Sequence, residues 1–141
     1  MTVYVDTCVA VSLFTDDAHT ARADAWLVQQ HGPLILSTWA VTEFSSALGV
    51  QRRRGALNAQ DRLAAEAAFD GWLSSPQVRR VDIGAVDFTA ARQLMRFDTV
   101  PLRAGDALHL AVAMRLGVAV ATLDDDLAAV ASAAGLSISE V

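Results

Sequence analysis

Short apolar runs alternate with longer, helix-patterned segments from one end of this sequence to the other. No other feature restricts its fold as much. These candidate strands fall at 2–5, 34–36, 78–83, 118–121 and 136–138, the third of them carrying Arg79, Arg80 and Asp82. Between them the spacing predicts helices over 9–14, 18–30, 84–97, 104–116 and 125–134. Two more helices lie between the second and third runs. One starts at a Ser37 or Thr38 cap and ends at Arg52-Arg53-Arg54-Gly55; the other is capped by Asn58 and ends before Pro76. His31-Gly32-Pro33 and Gly117 are stop signals. Strands that alternate with helices predict a parallel sheet covered on both faces, and buried parallel strands are nearly all apolar, as these are apart from the third. The 141 residues contain no linker, repeat or low-complexity run, so one domain over 1–141 is expected.

Composition fits an ordinary globular core. Hydrophobic residues make up 53% of the chain and charged residues 19%, which argues against disorder. Cys8 is the sole cysteine, which rules out an internal disulfide and a paired-cysteine metal knuckle. The opening Met-Thr-Val-Tyr-Val-Asp carries no basic segment and no long apolar core, so no secretory signal is expected. No apolar run approaches the roughly 20 residues of a membrane span, so the expectation is a cytoplasmic protein without a membrane partner.

The charged residues exclude more. Net charge is -5, which speaks against loose, charge-driven binding to nucleic acid. All 11 cationic side chains are arginines. Without lysine there is no phosphate-binding P-loop, no Schiff-base chemistry and no receiver-domain phosphotransfer.

In an open parallel sheet, ligands bind beyond the carboxyl ends of the strands. Four acids stand there. Asp6 ends the first strand, and Glu43 lies in the first turns of the helix after the second. Asp106 opens the apolar helix before the fourth strand, and Asp124 follows that strand. Two such charges ~4 Å apart repel by about 4 kcal/mol at an effective dielectric near 20. A convergent set therefore keeps protons or binds a cation. Oxygen ligands without cysteine or paired histidine suit Mg²⁺ or Mn²⁺, the usual apparatus of phosphodiester hydrolysis. Each acid taken singly is also a good helix cap. Asp6 is the hardest to dismiss, because a buried strand end is a poor place for an unpaired carboxylate.

The residues around these acids resemble a known family. Tyr4-Val5-Asp6-Thr7 looks like the opening of PIN domains, and Thr42-Glu43 like their second acidic motif. The stretch from Leu102 to Ala111, Leu-Arg-Ala-Gly-Asp-Ala-Leu-His-Leu-Ala, is similar to the most recognisable segment of VapC-type toxins. Thr122-Leu123-Asp124 resembles their last motif. The resemblance covers essentially the whole chain in order. It implies a PIN-like three-layer α/β sandwich with a short, mostly parallel five-stranded sheet. It also implies a Mg²⁺- or Mn²⁺-dependent endoribonuclease acting on transfer or ribosomal RNA, an antitoxin partner and a homodimer. Carried over by position, Asp6, Glu43, Asp106 and Asp124 are the catalytic and metal-binding acids, with Thr7 and Thr122 as supports.

Several neighbours have two readings. Asp125 and Asp126 charge the first turn of the last helix, and Asp126 is also within reach of water on a metal. His109, one turn after Asp106, is either a partner of the site acids or a packed core histidine. Arg103 pairs with a site carboxylate, holds a phosphate, or forms a surface ion pair. Arg52, Arg53 and Arg54 suit a helix C-terminus and are also candidate RNA contacts on an otherwise acidic protein. Cys8 reads as packing. Trp39, Phe44, Phe69 and Trp72 read as core, or as part of a groove for an antitoxin helix. Among rival functions, a phosphatase using Asp6 as nucleophile would want a second Asp at position 8 and a lysine, and has neither. A non-catalytic PIN-like binding module would have lost site acids. A structure-specific DNA nuclease would share the metal chemistry but usually carries extra DNA-clamping segments.

Overall fold

A computed structural model describes residues 1–96 and 101–141. Over these residues, strands and helices alternate as the sequence predicts. The strands are β1 (Val3–Val5), β2 (Leu34–Ser37), β3 (Val78–Val81) and β4 (Ala119–Ala121). The helices are α1 (Thr7–Phe14), α2 (Thr20–Val28), α3 (Thr38–Arg53), α4 (Ala59–Leu73), α5 (Ala85–Leu94), α6 (Ala104–Leu116) and α7 (Asp125–Ala133). All strand pairs are parallel, in the order β3-β2-β1-β4. Every strand therefore points its carboxyl end the same way.

The two-residue period of a strand sorts side chains to opposite faces. Val3, Val5, Leu34, Leu36 and Ala121 pack with residues of α1 to α4. Tyr4, Ile35 and Val120 pack with residues of α6 and α7. The result is three layers, helix on sheet on helix. α6 is buried continuously from Ala107 to Ala113, which is why it reads as apolar all round. Its outer end is braced by Arg115, whose Nε donates to Asp87 Oδ1 of α5 at 2.7 Å.

Local chemistry sets the boundaries. The Ser37 hydroxyl accepts the Ala40 N–H at 3.1 Å and starts α3. Asn58 accepts the Asp61 N–H and starts α4. Gly117, at φ 62°, takes the left-handed conformation that stops α6.

One expectation needs correction: the described sheet has four strands, not five. The apolar run at 136–138 contributes a single bridge, Ile138 beside Val120. Val120 exchanges hydrogen bonds with Ser137 and Ser139. The Ser139 hydroxyl then takes the Trp26 indole N–H at 2.9 Å, which ties the chain to α2 as well. The third strand also stops at Val81 rather than 83, and the fifth helix at Leu94. Phe97, the last residue expected in that helix, lies outside the described residues.

Candidate functional site

The carboxyl ends of β1, β2 and β4 open onto one cleft. Asp6, Glu43, Asp106 and Asp124 all line it, with Thr7, Cys8 and Arg103. Different elements deliver the four acids. Asp6 is the residue between β1 and α1. Glu43 projects from the second turn of α3, Asp106 from the first turn of α6, and Asp124 caps α7.

The acids form two couples, each with its own counter-group. The inner couple is Asp6 and Glu43, joined by His109. His109 is fully buried, and its Nε2 lies 2.8 Å from Glu43 Oε2 and 3.2 Å from Asp6 Oδ1. One ligand atom from each of these three residues lies within 4.8 Å of the others. Thr7 Oγ1 donates to the same Glu43 oxygen, and Thr122 Oγ1 donates to Asp6 Oδ2 at 2.7 Å. The outer couple is Asp106 and Asp124, bridged by Arg103. Its Nε lies 3.3 Å from Asp106 Oδ2, and its Nη2 lies 3.9 Å from Asp124 Oδ2. The Arg103 side chain is 82% exposed, so this bridge lies on the solvent side of the cleft.

Charge states follow from this arrangement. Burial pushes the Glu43 carboxyl up, but the hydrogen bonds from His109 and Thr7, with the charges of His109 and Arg103, outweigh it and hold the group below its usual range. Burial pushes His109 down, and the Glu43 hydrogen bond with the charges of Asp6, Glu43 and Asp106 more than reverses that. Asp106 is raised, chiefly by burial and further by Asp6, against the opposing charge of Arg103. Burial, the Asp6 charge and the Asp6 hydrogen bond keep the Cys8 thiol protonated. It donates to Asp6 Oδ2 at 2.9 Å and is no nucleophile.

A family model, the PIN domain, matches residues 3–133, nearly the whole chain. The chain belongs to the PIN domain family. Solved structures of similar fold include VapC20 of Mycobacterium tuberculosis, described as a toxin that cleaves the sarcin–ricin loop. It has a TM-score of 0.73 at 23% identity, over 95% of each chain. VapBC2 of Rickettsia felis, bound to a fragment of its promoter DNA, gives 0.71 at 12% identity over 99% of this chain and 98% of the other. FitAcB of Neisseria gonorrhoeae gives 0.65 at 18% identity over 96% and 95%. No curated protein matches the sequence.

Within this PIN domain the donor chemistry fits a hard divalent cation. Asp6 and Glu43 offer carboxylate oxygens at one point, and Glu43 Oε1 is free of the bonds that occupy Oε2. His109 is both things the sequence allowed: a core histidine by burial and a partner of the site acids by hydrogen bonding. Asp126 is exposed and does not line the cleft. Arg52, Arg53 and Arg54 are also exposed, at the far end of the helix that carries Glu43. Phe44 and Phe69 stack in the core with centroids 3.8 Å apart, and Trp72 packs beside them.

Sequence reasoning missed Tyr4, Ser37 and Gly105 as contributors to the site, and Asp17 and His19 on its rim. Tyr4 had a readable signal. It is the only tyrosine in the chain and stands in an otherwise aliphatic buried strand, where its hydroxyl needs a partner. Ser37 read only as a helix cap. Asp17 and His19 gave no signal, because they reach the cleft through the turn between α1 and α2.

Proposed function

We propose that this PIN domain is a Mg²⁺- or Mn²⁺-dependent endoribonuclease and the toxin half of a toxin–antitoxin pair. The observation that carries the reading is the convergence of Asp6 and Glu43 at the carboxyl end of a parallel sheet, with Asp106 and Asp124 on the same cleft. Family membership and the likeness to toxin structures support it. The M. tuberculosis relative, a sarcin–ricin loop cleaving toxin, favours ribosomal RNA as substrate, with transfer RNA as the other candidate. An antitoxin partner is supported by the R. felis structure, which is of a VapBC2 assembly. The working form is a homodimer in the cytoplasm, where RNA and antitoxin would both be met.

Each residue has a task in this reading. Asp6 and Glu43 would hold the cation, with Asp106 and Asp124 completing the negative wall. When bound, the cation supplies Lewis acidity: it eases proton loss from the attacking water and offsets charge on the phosphoryl oxygens. Thr122 and Thr7 orient the inner carboxylates by donating to them. Arg103 presents its guanidinium at the cleft mouth, where a backbone phosphate would exchange for the Asp106 and Asp124 contacts. Asp126 would act only through solvent at the rim. A net charge of -5 suits a nuclease that recognises a folded RNA through few contacts rather than one that coats it.

The test is cleavage of total and transfer RNA by the partner-free protein, in Mg²⁺, in Mn²⁺ and in EDTA. Asp6→Asn and Asp106→Asn variants run beside it. Discrete, metal-dependent fragments that vanish in both variants are expected. A folded protein that neither cuts RNA nor binds a divalent cation would sink the nuclease reading and leave a PIN-like binding module.

A further inference from the structure

Three polar side chains of the core run in a line toward the site acids. Tyr4, Ser37 and His109 are each fully buried. Tyr4 Oη lies 2.7 Å from Ser37 Oγ and 2.7 Å from His109 Nδ1. His109 Nε2 reaches Glu43 Oε2 and Asp6 Oδ1 at 2.8 and 3.2 Å. Well-packed apolar residues at positions 4 and 109 would fill the same core without the desolvation penalty of hydroxyl and imidazole.

Donor and acceptor chemistry orders this line. An ionised carboxylate only accepts, so the nitrogen facing Glu43 and Asp6 must carry a proton. Nδ1 has the Tyr4 hydroxyl as its partner. Ser37 Oγ accepts the Ala40 N–H and pairs with the Tyr4 hydroxyl. With the ring neutral, Tyr4 donates to Nδ1; with the ring protonated, Nδ1–H donates to Tyr4; in both forms Nε2–H faces the two acids. The line therefore begins at the cap of α3, the helix that carries Glu43, and ends on Glu43 itself.

We propose that Tyr4 and His109 are positioning residues: the Tyr4 hydroxyl, seated on Ser37, holds the His109 ring so that its Nε2–H sets the spacing of Asp6 and Glu43 for a divalent cation. This rests on the metal-dependent nuclease reading above. Neither residue touches substrate, and His109 is no ligand of the cation. Partners placed behind a metal site in this way are typically worth about 10–100-fold in metal affinity.

Tyr4→Phe removes the hydroxyl and keeps the ring. Mn²⁺ affinity, followed by titration calorimetry, is expected to fall about tenfold in that variant. His109→Gln, which keeps an N–H donor toward Glu43, should retain far more affinity than His109→Leu. If Tyr4→Phe does not fold, the two His109 variants carry the comparison. Nitrogen-15 spectra of the imidazoles supply a readout independent of cleavage. His19 and His31 are exposed, so the buried ring is recognised by a slowly exchanging Nε2 proton. That proton should persist at saturating Mg²⁺ in the wild type. In Tyr4→Phe the carboxylates still hold the proton on Nε2, but it should exchange faster because the ring has lost its anchor at Nδ1.

Wild-type affinity in Tyr4→Phe, or equal affinity in His109→Gln and His109→Leu, would overturn the proposal. Loss of the Nε2 proton on Mg²⁺ binding would also overturn it, by making His109 a ligand. Failure of the nuclease reading looks different, because the wild type itself would then neither bind Mn²⁺ nor cut RNA.

Discussion

The Thr122 hydroxyl donates to Asp6 Oδ2 across 2.7 Å, which joins the end of β4 to the end of β1. The same hydroxyl oxygen accepts the Asp124 N–H at 3.0 Å, so one threonine sets two of the four acids. Thr122→Val keeps the shape and deletes both bonds. It leaves a part-buried N–H and a buried carboxylate each short of a partner, which costs about 1–3 kcal/mol. Urea denaturation should show that loss, and Mn²⁺ affinity should fall about tenfold. Thr122→Ser should restore both. Undiminished affinity in the valine variant would reduce Thr122 to a packing residue.

Gly105 matters for its lack of a side chain rather than for its backbone freedom. A Cβ there would lie 3.1 Å from Glu43 Oε1 and 3.1 Å from Trp39 Cζ2. Oε1 is the Glu43 oxygen that neither His109 nor Thr7 engages, and the Trp39 ring is walled in by α5 and α6. Helix propensity alone favours alanine by about 0.8–1 kcal/mol. The immobile Trp39 ring offsets that gain, so Gly105→Ala is expected to leave the melting temperature near or below the wild-type value while weakening Mn²⁺ binding and RNA cleavage. A loss of affinity out of proportion to any loss of stability is the signature to look for. If affinity holds, the Glu43 carboxylate has room to swing aside.

How much of this was legible in the sequence differs between fold and site. The parallel sheet was legible because apolar runs, caps and stop residues agree with one another: Asn58, Ser37 and Gly117 each act where the chain signals a boundary. The run at 136–138 misled because its apolar pattern cannot report the extent of its pairing, which is the one bridge of Ile138 to Val120. The four acids were legible because each sits at a strand end or a helix start. Their division into couples was not, since it depends on contacts between residues far apart in sequence. His109 meets Glu43 across 66 positions and Tyr4 across 105. No periodicity carries such information.

The inner couple makes the stability of the metal-free protein depend on pH. Glu43 has an ordinary value of 4.5 that folding lowers, so its contribution is complete above 4.5 and is lost as pH falls through the lowered value. His109 has an ordinary value of 6.5 that folding raises, so its contribution is complete below 6.5 and is lost as pH rises through the raised value. Both are fully present only between 4.5 and 6.5. Glu43→Gln removes the acid and, with it, the Glu43 charge that lifts His109. The gap in unfolding free energy between wild type and this variant, measured in EDTA across pH, should be widest in that window and narrow on both sides. A gap independent of pH would mean that the His109–Glu43 contact carries no charge.

The arginine run is the last feature with two readings, and salt separates them. Arg52 lies nine residues beyond Glu43 on α3, about 14 Å along the helix axis at 1.5 Å per residue. That is a span of a few nucleotides, too far for a role in the chemistry and near enough to guide a strand into the cleft. For single-stranded RNA, every phosphate that an arginine no longer neutralises should flatten the slope of log affinity against log salt by about 0.7. Replacing Arg52, Arg53 and Arg54 together with alanine should therefore flatten it by up to about 2. All three are exposed, so folding stability should move by no more than about 0.5 kcal/mol per site. An unchanged slope with unchanged cleavage would leave them as dipole partners at the end of α3. The positive guide for RNA would then fall to Arg103, which already stands at the mouth of the cleft.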